Sequence, residues 1–145
     1  MGLKTIRGKI IGLDTMVFIY HIEDYPEYAV LTEGVFDDVE NGHLKAVTSI
    51  ITILEILVKP KKEGNLIAVN DYKDLIMTFP NLQVLNVDIN VSDKASDLRA
   101  KYGIKTPDAI QIATAIVSGA DYFITNDERL KLISDINVLL LNELF

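Results

Sequence analysis

Lys9-Ile10-Ile11-Gly12-Leu13-Asp14-Thr15 is the stretch on which the fold turns. Apolar and small residues run without a break from Ile10 to Leu13 and stop at one acid. A continuous run of this kind, as opposed to an alternating one, fits a strand covered on both faces in a parallel sheet. In open parallel sheets ligands bind beyond the carboxyl ends of the strands. Asp14 therefore stands where chemistry is expected, and residues 9–13 read as a first strand.

The same pattern recurs along the chain. Residues 44–48, 82–87, 122–125 and 138–141 read as four further strands. Helical patterns fill the intervals at 15–22, 27–40, 50–58, 66–79, 91–102 and 107–118, with a last short helix at 128–133. Leu31, Val35 and Val39 repeat at four-residue spacing in the second of these, and Asn41-Gly42 supplies its stop. Pro60, Pro80, Gly103 and Gly119 stand as the stops of the next four. Strand–helix alternation with right-handed crossovers predicts an α/β fold, in three α/β/α layers around a central, mostly parallel five-stranded sheet. No repeat, low-complexity tract or linker interrupts it, so residues 1–145 form one domain.

Composition narrows the chemistry. Hydrophobic residues make up 49% of the chain, enough for a substantial core. The absence of cysteine excludes disulfides, thiolate metal sites and cysteine nucleophiles. Two histidines, His21 and His43, argue against a histidine metal site, so any cation is held by oxygen. Oxygen ligands select hard cations such as Mg²⁺ or Mn²⁺. No run approaches the ~18 apolar residues of a membrane helix. The longest candidate, 50–58, is broken by Glu55, and the first apolar run ends at Asp14, too early for a signal peptide. A cytoplasmic protein without a membrane partner is the expectation. A net charge of −7 argues against nucleic-acid binding when taken alone, and serves solubility in its plainest reading. Two bound divalent cations would offset four of those charges.

Four acids are candidates for one site. Asp14 follows the first strand, Asp127 lies past the fourth, Asp108 opens a helix, and Glu55 sits about two turns into its helix. Each has a plain alternative. Asp14 and Asp127 suit helix caps, and Asp108 after Thr106-Pro107 suits a helix dipole. Glu55, the only charge between Ile50 and Val58, has an exposed pair with Lys59 as its alternative. Clustered carboxylates repel, and a divalent cation removes that penalty while activating water against a phosphodiester.

These segments resemble PIN-domain nucleases. Gly12-Leu13-Asp14-Thr15 is similar to their first motif and Ser49-Ile50-Ile51-Thr52-Ile53-Leu54-Glu55 to their second. Pro107-Asp108-Ala109-Ile110-Gln111-Ile112-Ala113-Thr114-Ala115 resembles the third, and Ile124-Thr125-Asn126-Asp127 the fourth. The resemblance covers nearly the whole chain in order. It implies a ribonuclease dependent on Mg²⁺ or Mn²⁺, with Asp14, Glu55, Asp108 and Asp127 as metal-binding acids. Thr15, Thr125 and Asn126 are implied as supporting polar groups. Size and layout resemble the VapC toxins of toxin–antitoxin pairs, which implies an RNA substrate, an antitoxin partner and a homodimer. Met16 departs from the small polar residue common at that place in the family.

Positive charge gathers at Lys59, Lys61 and Lys62 and at Arg99, Lys101 and Lys105. Arg99, Lys105 and the three lysines of the loop are expected to meet RNA phosphates, with a solvated face as the alternative. Between Ile22 and Leu44 seven acids occur without Lys or Arg, a solvated face or a surface for a basic partner segment. A phosphoryl-aspartate enzyme is a poorer match. Haloacid-dehalogenase-like phosphatases place an acid where Met16 stands, and response-regulator receivers place adjacent acids where Ile11-Gly12-Leu13 stands. The remaining alternative is a degenerate PIN-like RNA-binding or RNA-processing module without an antitoxin.

Overall fold

A computed structural model describes residues 2–145. Five strands form one sheet: β1 (Ile10–Leu13), β2 (Lys45–Ser49), β3 (Leu82–Leu85), β4 (Tyr122–Thr125) and β5 (Asn137–Leu140). Their order is β3-β2-β1-β4-β5 and every pairing is parallel, so the sheet expected to be mostly parallel is wholly so. Chain order runs outward from β1 to β3 on one side, then returns to place β4 on the other. The switch of direction falls between β1 and β4, where Leu13 pairs with Ile124. A crevice opens beyond the carboxyl ends of strands at such a point.

Six α-helices cover the sheet: α1 (Thr15–Ile22), α2 (Ala29–Glu40), α3 (Ile50–Lys62), α4 (Leu66–Thr78), α5 (Ile89–Tyr102) and α6 (Thr106–Val117). Alternation along each strand sends side chains to two cores. Ile11, Leu13, Ile124 and Leu139 pack with Val17, Phe36 and Leu57 from α1, α2 and α3. Phe123 and Val138 pack on the opposite face with Leu98 and Ile112 from α5 and α6. These two cores make the three layers.

Gly12 sets how closely one layer approaches. A Cβ there would lie 2.6 Å from the Ala115 Cβ and 3.1 Å from the Phe123 ring. The missing side chain lets α6 settle on β1, next to the strand end that carries Asp14.

Most boundaries shift by a residue or two from the sequence reading, and three differences stand out. Pro60 does not end its helix; α3 continues to Lys62. Proline forfeits one backbone bond and crowds the preceding turn, but its ring is buried in a crevice it shares with Ile19, Ile56 and Tyr72. The stop is Gly64 instead, at φ +66°, where a left-handed residue is needed. The segment Glu128–Leu132 is a 3₁₀ helix, not an α-helix. Finally, α2 begins at Ala29, after Asp24 turns the chain at φ 52°.

The acidic stretch between Ile22 and Leu44 is not uniformly a solvated face. Asp38 is buried, and the Arg7 guanidinium donates to both its oxygens, from Nε at 3.0 Å and Nη2 at 2.9 Å. This fork ties α2 to the residues before β1.

Candidate active site

Asp14 ends β1 and caps α1. Its Oδ1 accepts the Thr15 backbone N–H at 2.8 Å, and its Oδ2 accepts the Thr125 hydroxyl at 2.7 Å across the β1–β4 crevice. The capping alternative and the site reading therefore describe one carboxylate at once. Only 9% of the residue is exposed. Burial pushes its carboxyl up to about 6; the bond from Thr125 opposes the rise, and the charges of Asp108 and Glu55 add to it.

Glu55 projects from α3 toward the same place. Its Oε1 accepts the Thr15 hydroxyl at 2.7 Å. The alternative partner, Lys59, bonds Glu23 at 2.6 Å instead. Asp108 stands on the first turn of α6, half-buried. Burial raises its carboxyl most and Asp127 raises it further, while Arg129 and Lys105 pull it down and Glu55 pushes it up. Asp127 is different. The Arg129 guanidinium grips both its oxygens, Nε to Oδ1 at 3.0 Å and Nη2 to Oδ2 at 2.7 Å, and the Arg129 backbone N–H donates to Oδ1 as well. That grip holds the Asp127 carboxyl below the usual range.

Beneath these acids lies a buried polar network. The Gln111 amide nitrogen donates to the Thr15 hydroxyl at 2.9 Å and the Thr52 hydroxyl at 2.7 Å. Thr48 donates to the Leu13 carbonyl at 3.0 Å, which leaves Thr52 to donate to Thr48 at 2.7 Å. Each Gln111 N–H takes a lone pair of one hydroxyl, and Thr15 is left with its proton aimed at Glu55. Among the described residues no buried side-chain polar atom lacks a partner. A fully satisfied network of this kind fixes side chains rigidly.

All four acids line one cavity of about 720 Å³, with Thr15, Thr125 and Asn126 among its walls. Asn126 donates to the Tyr20 hydroxyl at 3.2 Å, and the Tyr20 ring stacks on Tyr28. Met16 stands at the mouth. The predicted basic residues divide. Lys105 borders a smaller cleft of about 230 Å³ that shares Asp108 and Asp127 with the main cavity. Lys59, Lys61, Lys62 and Arg99 line neither. The Arg99 Nε donates to the Ile104 carbonyl beyond the end of α5.

Sequence reasoning passed over Gln111, Thr48, Thr52, Tyr20 and Arg129. Gln111 did leave a signal: it is the one amide among Ala109–Ala115, as Glu55 is the one charge in its helix. Thr48 and Thr52 left a fainter one, two hydroxyls four residues apart across a strand–helix junction.

The donor set suits a hard divalent cation: carboxylates from the end of β1, from α3 and from α6 line one cavity, and among the described residues no lysine or arginine lines it. Among the described residues no three acids stand as a ready-made cage.

Comparison with known proteins fits this geometry. The profile of the PIN domain family matches residues 11–136, which spans β1 from its second residue through β4 and stops just before β5. The chain belongs to the PIN domain family. PIN domains are nucleases. Similar solved structures include VapBC2 from Rickettsia felis bound to a DNA fragment from its promoter, at 17% identity and a TM-score of 0.72 over 90% of this chain and 98% of the other. A toxin–antitoxin complex from Klebsiella pneumoniae gives 20% identity and 0.67 over 92% and 98%. VapC20 from Mycobacterium tuberculosis, a sarcin–ricin loop cleaving toxin, gives 12% identity and 0.63 over 79% and 86%. No curated protein sequence matches. Among the described residues no helix of this PIN domain is long and apolar enough to cross a membrane.

Proposed function

We propose that this PIN domain is an endoribonuclease dependent on Mg²⁺ or Mn²⁺ and acts in the cytoplasm as a VapC-like toxin. The observation that carries the reading is the convergence of Asp14, Glu55 and Asp108 on one cavity at the β1–β4 switch point, with Asp14 buried. Burying a carboxylate among other carboxylates is unfavourable unless a cation joins them. Asp14, Glu55 and Asp108 would hold that cation, and Asp127 stands at its edge. The chemistry supplied by bound Mg²⁺ or Mn²⁺ is an acidified water and charge neutralisation at the phosphodiester.

The chain itself supplies orientation. Thr125 and the Thr15 amide fix the two oxygens of Asp14, and Thr15, held by Gln111, fixes Glu55. Preorganised donors and acceptors lower a barrier because nothing reorganises during the reaction. The fold shared with a toxin–antitoxin complex and with a toxin that cleaves the sarcin–ricin loop supports RNA as substrate and an antitoxin as partner. On the same reading the protein is a homodimer.

Labelled RNAs incubated with the purified protein test the activity. Cleavage is expected with Mn²⁺, and its loss with chelator or on Asp14→Asn. Cleavage that survives either treatment overturns the mechanism. Recovery of a short basic protein on co-expression with the neighbouring gene tests the toxin assignment.

A further inference from the structure

The main cavity presents carboxylates to a polyanion. RNA carries a negative charge at every phosphate, so a strand crossing this crevice needs cations beyond the metal at its edge. Among the described residues no Lys or Arg lines the main cavity. The adjoining cleft of about 230 Å³ is bordered by two, Lys105 and Arg129, and it shares the Asp108 and Asp127 walls. The other basic residues expected at the site are engaged or remote: Lys59 bonds Glu23, and Arg99 bonds the Ile104 carbonyl.

Arg129 is held in a particular way. Asp127 takes its Nε and Nη2, a fork that fixes the plane of the guanidinium. The side chain is nonetheless 73% exposed, so its remaining N–H groups face solvent at the rim. The same fork engages both Asp127 oxygens, which makes Asp127 a poor cation ligand in this arrangement. Lys105 caps the start of α6, three residues before Asp108. A guanidinium with a fixed plane and an ammonium lining the same cleft suit the paired anionic oxygens of a phosphodiester.

We infer that Lys105 and Arg129 form a subsite for one phosphate of a single-stranded RNA beside the acidic cavity, and that Asp127 is the residue positioning Arg129. The inference rests on the nuclease reading and names where its substrate is gripped. It also assigns to the fourth acid of the motif set a role that differs from metal binding.

Two measurements separate the possibilities. Affinity for a short fluorescein-labelled single-stranded oligoribonucleotide is measured by anisotropy in chelator over a series of salt concentrations. Mn²⁺ affinity is measured by calorimetry without RNA. Arg129→Ala is expected to weaken RNA binding about tenfold and to flatten the log–log salt dependence by about 0.7, the contribution of one phosphate contact on a single strand. Arg129→Lys, which keeps the charge and loses the fork, is expected to fall between. Asp127→Ala, which likewise keeps the charge and loses the fork, is also expected to fall between on RNA while leaving Mn²⁺ affinity unchanged. Arg129 is exposed, so its variants fold, and circular dichroism verifies it.

Wild-type RNA affinity and salt slope in Arg129→Ala overturn the subsite. A loss of Mn²⁺ affinity in Asp127→Ala overturns the positioning role. Wild-type protein that cleaves RNA while Arg129→Ala behaves identically refutes this inference alone. Wild-type protein that neither binds nor cleaves RNA refutes the nuclease reading and the subsite with it.

Discussion

The carboxyl of Asp14 accepts hydrogen bonds from the Thr15 amide and the Thr125 hydroxyl, yet burial still lifts it from 3.8 to about 6. A raised value means the native state binds the proton more tightly than the unfolded chain does. Below about pH 4 both states are protonated and the penalty is absent; it grows as pH rises and is complete above about pH 6. Its size is about 3 kcal/mol without metal. In chelator, the stability advantage of Asp14→Asn over the wild type is therefore expected to grow between about pH 4 and pH 7. Thermal melts of both proteins measure it. Mn²⁺ at neutral pH is expected to raise the wild-type Tm and not that of Asp14→Asn. An advantage that does not change with pH contradicts burial as the cause.

Helix α6 delivers two kinds of group to the site, the Asp108 carboxylate at its first turn and the Gln111 amide one turn on. Its position depends on Gly12, where α6 meets β1 with no room for a Cβ. Gly12→Ala is expected to destabilise the fold by about 1–3 kcal/mol, the usual cost of overpacking, because Ala115 and Phe123 must give way. Urea denaturation measures the loss. Cleavage should fall further than stability does, since the displaced helix carries Asp108 and Gln111 away from Asp14 and Thr15. An unchanged midpoint would show that the layers part without strain. Helix α3 tells a similar story in reverse: burial of the Pro60 ring outweighs the backbone bond it forfeits, so the helix runs on to a glycine stop.

For the molecule as a whole, a net charge of −7 limits how the proposed RNA substrate would be held. Among the described residues two cationic side chains, Lys105 and Arg129, border the clefts at the switch point. Two phosphate contacts on a single strand give a log–log salt slope of about −1.4, shallow for a nucleic-acid-binding protein. Anisotropy titrations over salt concentration in chelator check this, and a slope several times steeper means that RNA follows another face. On the proposed function the acidic cavity would repel the strand until a divalent cation bound, so Mn²⁺ should tighten RNA binding to an Asp108→Asn variant less than to the wild type.

Much of this was legible before any coordinates. Five apolar runs alternating with helical patterns specify strands and helices because side-chain periodicity is a local property, read over a few residues. Asp14, Asp108 and Asp127 were placed near strand ends or a helix start by that same local pattern, and Glu55 by its isolation among apolar neighbours. Partner choice is not local. Thr125 meets Asp14 over 111 residues of chain, and Gln111 meets Thr15 over 96, only because β4 lies beside β1 and α6 settles on Gly12. Arg129 is two residues from Asp127, yet sequence alone does not say that the side chain turns back to grip it. Nor does it say that Asp38 faces Arg7 and not solvent. The sequence by itself determined the elements, the sheet class and the acids. The tertiary structure decided which acids share a cavity and which of them a cation of the protein already holds, because each depends on distances set by packing between distant parts of the chain.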